Sequence, residues 1–437
     1  MTDNNQPEKM ETDDVIVRRA LTCSFLGNFA EWLDYGSYAY LATVIALVFF
    51  PEGDPAVTLM STYAVFALSF VARPIGAFFW GHLGDKKGRK WSLTVSILLM
   101  TAATSAIGLI PSFNTIGYAA PILLLLMRLL QGFSASAEYA GAAVFIAEYA
   151  PKNKRGLYCS LVPASTATGL LVGSFLATVL NATLSAEMMQ SFGWRIPFLL
   201  AFPLGVVVLR MWLKLEDSEI YRDMVKNINA TGQKRKSPLR LLFTKYWRQT
   251  LISFGVSSLN AVGFYMVLTY LPVYVETVVK LNKVTADLIT NATLVLYISM
   301  IFFAGKLSDH FGRKKLLISA CLGFIMLIIP GYMLLNTKIV VVILIVELVL
   351  AFVLTLNDGT LSSFLSETFP TEVRYSGFAV SFNLANAIFG GTVGLVSTFI
   401  IKETGNPLSP AFYMVAVSFF ALICMLFAKE YKDKELK

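Results

Sequence analysis

Glu31 and Asp34 stand three residues apart in the first long apolar run of this chain, and Tyr35 and Tyr38 continue the same helical stripe, with Trp32 beside them. Arg73 interrupts the second run. In the fourth, Arg128, Gln131, Ala135 and Glu138 fall along roughly one helical face, and the tenth holds Glu347, Asn357 and Asp358. Charge at mid-bilayer is costly, so each such residue is a functional candidate by default. The first and fourth runs thus offer a carboxylate pair, an arginine and a further carboxylate, a mixture that can hold a zwitterion or a small anion and carry a proton. Asn260, Asn383 and Asn386 add polar side chains that suit ligand binding or interhelical hydrogen bonds. Trp32, Tyr35, Tyr63, Phe264, Tyr265 and Tyr270 could cage a quaternary ammonium. Each group also has a structural reading. Arg73 paired with Glu31 or Asp34 would only lock two helices, Glu347 would snorkel or face a neighbour, and most aromatics would be packing or interfacial belt.

These residues need membrane-spanning helices to position them. The chain has 437 residues, 56% hydrophobic and only 15% charged, where a soluble domain carries about 25%. Twelve apolar runs meet the span length of about 20 residues: 19–49, 57–82, 91–110, 118–149, 155–182, 194–213, 246–277, 284–306, 314–335, 338–367, 372–401 and 409–427. The run around 280–300 reads as the least apolar. The expected organisation is an N-terminal segment (1–18), a six-helix bundle (19–213), a polar linker (214–245), a second six-helix bundle (246–427) and a tail (428–437). The polar, acidic start, Met1 to Asp14, has no cleavage pattern, so the first run reads as a retained helix.

The net charge of +8 does not point to nucleic acid, because the cations sit in short clusters between apolar runs. Arg18, Arg19, Lys86, Lys87, Arg89, Lys90, Lys152, Lys154, Arg155, Lys234, Arg235, Lys236, Arg240, Arg313, Lys314, Lys315 and the tail lysines share one side. The other side holds little more than Lys280, Lys283, Lys338 and Lys402. The positive-inside rule places both termini and the linker in the cytoplasm. Cys23, Cys159, Cys321 and Cys424 are scattered singly without metal spacing, and His82 and His310 both lie in polar hairpins. No metal, cofactor or catalytic nucleophile is expected, nor is an enzyme.

Those hairpins are one motif written twice. Gly81-His82-Leu83-Gly84-Asp85-Lys86-Lys87-Gly88-Arg89-Lys90 recurs as Gly305-Lys306-Leu307-Ser308-Asp309-His310-Phe311-Gly312-Arg313-Lys314. Glu148, Pro151 and Arg155 follow the first copy, and Glu367, Pro370 and Arg374 follow the second. Matched motifs in two halves of an apolar chain imply internal duplication, the mark of a two-bundle transporter. The glycines permit a tight turn, Asp85 can face a helix N-terminus, and Arg89 can pair across the bundle, which makes a latch and not a substrate site.

This doubled motif resembles the signature of the major facilitator superfamily. Within it the chain is similar to the metabolite:proton symporters, through Asn28-Phe29-Ala30-Glu31-Trp32-Leu33-Asp34-Tyr35-Gly36, Arg73-Pro74-Ile75-Gly76, Arg128-Leu129-Leu130-Gln131-Gly132-Phe133-Ser134, Gly193-Trp194-Arg195-Ile196-Pro197-Phe198 and Phe369-Pro370-Thr371-Glu372-Val373-Arg374. The resemblance implies an all-α fold of twelve helices in two pseudo-symmetric bundles. It also implies proton-coupled import by alternating access in the inner membrane of a bacterium, as a monomer, with solute, protons and lipid as the only partners. It assigns coupling and binding to Glu31, Asp34, Arg73, Arg128 and Glu138, and gating to Asp85 and Asp309. A small zwitterion of the proline or betaine kind is the leading substrate, with Arg128 on its carboxylate. Small carboxylates such as α-ketoglutarate or citrate, and a non-transporting nutrient receptor, are the alternatives. Ser136-Ala137 stands where the family carries Gly-Gly, which alters the pocket near Glu138. The segment after the last run is short, so osmotic regulation through a long coiled-coil tail is not expected. Asp358 is outside the betaine pattern and would suit a cationic amino acid.

Overall fold

A computed structural model describes residues 6–51, 55–230 and 236–436. Lys234 and Arg235 of the charge census lie outside the described residues, as do the side chains of Tyr63 and Lys283. The described chain is helical, with no strand. Its long helices are α1 (Gln6–Tyr40), α2 (Pro55–Lys87), α3 (Arg89–Leu109), α4 (Ala119–Tyr149), α5 (Arg155–Thr183), α6 (Ala186–Leu213), α7 (Trp247–Thr277), α8 (Lys283–Phe311), α9 (Arg313–Leu335), α10 (Val340–Thr368), α11 (Arg374–Thr404) and α12 (Ser409–Phe427). Ten of these regions are long and apolar enough to cross a membrane. The first expected span, 19–49, is not one straight helix. It bends by 72° where α1 gives way to the short helix Ala42–Phe49; taken as one span, this bent pair is an eleventh region long and apolar enough to cross. Helix α2, with 33 residues, completes the bundle. The apolar part of the eighth run, Leu288–Phe311, has a mean hydropathy of 1.8 against 1.4 for α4. Helix α4 is lowered by the polar residues of its inward face.

Side-chain direction follows the solvent. Leu395 is 75% exposed and Phe175 68%, a liability in water that lipid removes. Glu31, Arg73, Arg128 and Glu138 are buried instead. The interior face of the bundle therefore carries the polar groups, the reverse of a water-soluble helix bundle.

Packing repeats with a shift of six helices. Helix α1 packs on α5 and α6, α2 on α4, and α3 on α4 and α6. Likewise α7 packs on α11 and α12, α8 on α10, and α9 on α10 and α12. Between the halves, α2 packs on α11 and α5 on α8, two contacts that exchange under a pseudo-twofold axis. Helices α7 and α11 each carry a π-turn, Met266–Tyr270 and Asn386–Gly390. The two approach each other at the Tyr265 ring, which lies so close to Gly390 that a Cβ there would stand 2.8 Å from it. Such irregular turns cluster at functional sites.

Candidate functional site

The α1 stripe divides between two arginines. Arg73 of α2 donates to Glu31 at 3.1 Å, and Arg128 of α4 donates to Asp34 at 2.7 Å. Gln131, one turn along α4, also donates to Asp34 (3.1 Å) and to Thr104 of α3 (2.6 Å). Buried charges persist only when paired and hydrogen-bonded, and both pairs meet that condition. The pairing of Arg73 with Glu31 is the structural reading of the sequence, yet its surroundings add more. Its guanidinium lies 4.8 Å from the Phe70 ring centre, 5.0 Å from Tyr35 and 5.9 Å from Trp32. Trp32 in turn meets Phe264 of α7, and Phe70 meets Tyr265, so the aromatic cluster spans the two halves. The cage expected around a substrate cation thus already holds a cation of the protein.

Arg128 lies 3.8 Å from the Tyr38 ring centre and gives only Nη1 to Asp34. Its Nε and Nη2 are buried without a hydrogen-bond partner. Together these form the flat two-donor edge that binds a carboxylate bidentately. Glu138, two turns along from Gln131 on the same helix, is buried with Oε1 unpartnered, and Glu31 leaves Oε2 unpartnered. Glu31 and Glu138 line one small cavity together with Gly27, Met100, Thr104 and Gly205. Two acids on one cavity, each with an unpartnered oxygen, form a setting in which a proton on either one removes a buried like-charge pair.

The second half contributes different chemistry. Asp358 of α10 accepts from Asn260 of α7 at 2.9 Å and from the Tyr297 hydroxyl of α8, with Tyr139 of α4 against it as well. Asn357 is fully buried and neither of its amide atoms has a partner, whereas Asn383 spends its amide on the Ser136 and Ala379 carbonyls. The structure therefore ties Asn383 to the backbone between α4 and α11. Glu347 does not snorkel; it is 2% exposed and accepts from Thr293 of α8 at 3.4 Å. Tyr265 is half-buried, with its hydroxyl buried and unpartnered.

The duplicated motif forms two matching clasps on one end of the bundle. Asp85 accepts from the backbone N–H groups of Tyr375 (3.1 Å) and Ser376 (2.8 Å) at the start of α11. Asp309 does the same to Gly156 (2.7 Å) and Leu157 (2.9 Å) at the start of α5. A carboxylate on exposed helix-terminal N–H groups is stabilised by charge and dipole alike. Arg89 reaches Glu148 (3.2 Å), which also holds Arg374 (2.8 Å); Arg313 reaches Glu367 (3.0 Å), which holds Arg155 (2.9 Å). Each set crosses from one half to the other. Gly81 and Gly84 lie against Ser376 and Tyr375; a Cβ on Gly84 would stand 1.9 Å from the Tyr375 ring. Gly88 and Gly312 take φ of +115° and +96°, which L side chains rarely adopt, and turn the chain sharply into the next helix. Asp217 and Glu430 then cap those helices at Lys90 N and Lys314 N, each at 2.9 Å. Burial raises the Asp217 carboxyl above its ordinary range, opposed by the Lys90 N–H.

Sequence reasoning missed Phe70, Thr104, Tyr139 and Tyr297 as contributors, and the caps Asp217 and Glu430. The caps carried a signal: both are acidic residues a few positions beyond the last apolar residue of a half. The aromatics carried none, because one more ring in an apolar run is unremarkable.

Two similar bundles, a pseudo-twofold, a polar centre and paired clasps define a two-bundle membrane transporter. The family model of the Major Facilitator Superfamily matches residues 25–394, and the chain belongs to that superfamily. It is 35% identical over 430 residues to the glycine betaine/proline/ectoine/pipecolic acid transporter OusA of Dickeya dadantii and to the proline/betaine transporter of Escherichia coli K12, covering 97% of this chain and 86% of each relative. A putative proline/betaine transporter of Staphylococcus aureus is 38% identical over 94% of this chain and 88% of its own length. Among solved structures, the proton:xylose symporter XylE bound to 6-bromo-6-deoxy-D-glucose matches with a TM-score of 0.81 at 18% identity, over 97% of this chain and 98% of that one. At that identity the likeness speaks for the fold.

Proposed function

We propose that this protein imports a small zwitterion of the proline or betaine kind together with protons. It works by alternating access of the 19–213 and 246–427 bundles in the inner membrane of a bacterium, with both termini and the 214–245 linker in the cytoplasm. The observation that carries the reading is the charge balance of the site. Arg73 and Arg128 are met by Glu31, Asp34 and Glu138, so no positive charge is left over for a di- or tricarboxylate. A zwitterion adds no net charge. Its carboxylate takes the unused Nε–Nη2 edge of Arg128, and its ammonium takes the faces of Trp32, Tyr35 and Phe70, displacing Arg73 toward Glu31. A proton at Glu138 neutralises the remaining charge. The clasps at Asp85 and Asp309 hold the inner face shut and release as the bundles rock. The names of the relatives agree with such a solute.

The test uses the full chain in proteoliposomes, with glycine betaine or proline added outside in weakly buffered medium. Uptake accompanied by external alkalinisation is expected, and citrate or succinate should not compete. Solute uptake with no proton movement, or competition by the carboxylates at matched concentration, would overturn the reading.

A further inference from the structure

Helix α10 carries two buried acids that the mechanism above does not use. Glu347 and Asp358 are eleven residues apart, close to three turns, and therefore share a face. That face meets α8, where Thr293 donates to Glu347 and Tyr297, one turn on, donates to Asp358. The groups around Asp358 are all neutral: Tyr297 from α8, Asn260 from α7, Tyr139 from α4, and Ser362 one turn along α10, which donates to the Tyr139 hydroxyl at 3.2 Å. The Cys159 thiol of α5 stands behind Tyr139. Among the described residues no cation pairs with either acid.

This environment contrasts with the first half, where each α1 carboxylate has its own arginine. A guanidinium can only donate, so it fixes its partner as a carboxylate. A phenol hydroxyl donates or accepts. Tyr297 and Tyr139 can donate to an ionised Asp358 and accept from a protonated one, so its hydrogen bonds survive either state. An ionised carboxylate with no counter-charge at this depth is costly, and the neutral acid is not. Tyr139 also ties the site to the conformational change. It belongs to the opposite half, directly after Glu138, and its ring stacks on Phe382 of α11 at 4.4 Å. Separation of the halves on the clasped side withdraws Tyr139 and admits water to Asp358.

We infer that Asp358 is a second protonation site, separate from the Glu31–Glu138 cavity, which takes up and releases one proton in each transport cycle. The inference rests on the proton-coupled reading given above. Two protons then accompany each solute. Proteoliposomes clamped at zero membrane potential with a one-unit pH gradient should accumulate glycine betaine about 100-fold, one decade per proton. Asp358→Asn, close to isosteric, should retain counterflow and accumulate only about 10-fold. Tyr297→Phe keeps the carboxylate and should keep the wild-type ratio whatever its rate, which separates proton carriage from packing. A wild-type ratio of about 10-fold, or an unchanged ratio in Asp358→Asn, overturns the second site while leaving proton coupling intact. No accumulation at all by the wild type would overturn the coupling itself. Should Asp358→Asn fail to fold, Asp358→Ser decides: a fall to about 10-fold accumulation supports the site, and an unchanged two-proton ratio from a folded, exchanging variant overturns it.

Discussion

Replacing Asp309 by Asn tests the clasps most directly, because a native reporter stands beside it. Asp309 accepts two backbone N–H bonds from the first turn of α5 and pairs with Arg313 at 3.0 Å. Cys159, one turn further along α5, is fully buried. Asparagine keeps one acceptor oxygen, so the variant loses one charge-assisted bond, about 1.5–3 kcal/mol. It also loses the attraction of a full charge for the helix N-terminus, up to ~2 kcal/mol. The clasped state is therefore destabilised by about 2–4 kcal/mol relative to the released one, a shift of roughly 30- to 700-fold in their ratio. With Cys23, Cys321 and Cys424 replaced by Ala, the alkylation rate of Cys159 by a permeant maleimide reads the population open at that end. It should rise by about one and a half to nearly three decades in Asp309→Asn, provided the released state is the minor one in the parent. Asp85→Asn, at the symmetry-related clasp, should raise it similarly. An alkylation rate within about threefold of the parent in both variants would refute the assignment of these aspartates as clasps.

Three further substitutions address the centre and the inner face. Glu138→Gln should keep solute counterflow while taking up one proton fewer per solute, measured as external alkalinisation against labelled uptake. Arg128→Lys removes the flat two-donor edge and should weaken glycine betaine binding by about 10- to 100-fold, read from KM or from thermal stabilisation by the solute. Gly84→Ala places a methyl inside the Tyr375 ring, so transport should fall and Cys159 alkylation rise, and the added change Tyr375→Ala should recover part of both.

The sequence disclosed which groups matter and left open which groups meet. Charge inside an apolar run is expensive enough that Glu31, Asp34, Arg73, Arg128, Glu138 and Asp358 stand out without any coordinates. The clasp was legible for another reason: its chemistry is local, a glycine turn with an acid and a base at fixed spacing, and duplication repeats it. Helical spacing fixes the face on which a residue lies but not the neighbour opposite. That Arg73 takes Glu31 while Arg128 takes Asp34 depends on how α2 and α4 pack against α1, which no periodicity encodes. The 72° bend after α1 escaped notice because Leu41 sits in an unbroken apolar run with no Pro or Gly to mark it.

Asp358 shows the same limit. In a sequence, an extra acid near mid-span suggests an extra positive charge on the ligand. Once placed, the carboxylate is enclosed by Asn260, Tyr297 and Tyr139, which take three of its acceptor positions. A cationic side chain of a substrate would have to displace two phenols to reach it. A proton displaces nothing. The two halves thus handle charge in opposite ways: the first neutralises its α1 acids with fixed arginines that a zwitterion can engage, and the second surrounds its acid with hydroxyls that tolerate either protonation state. Binding a neutral solute in one half and protons in both lets the closed bundle pass through the membrane interior with no uncompensated charge, the condition for the rocking step to be fast.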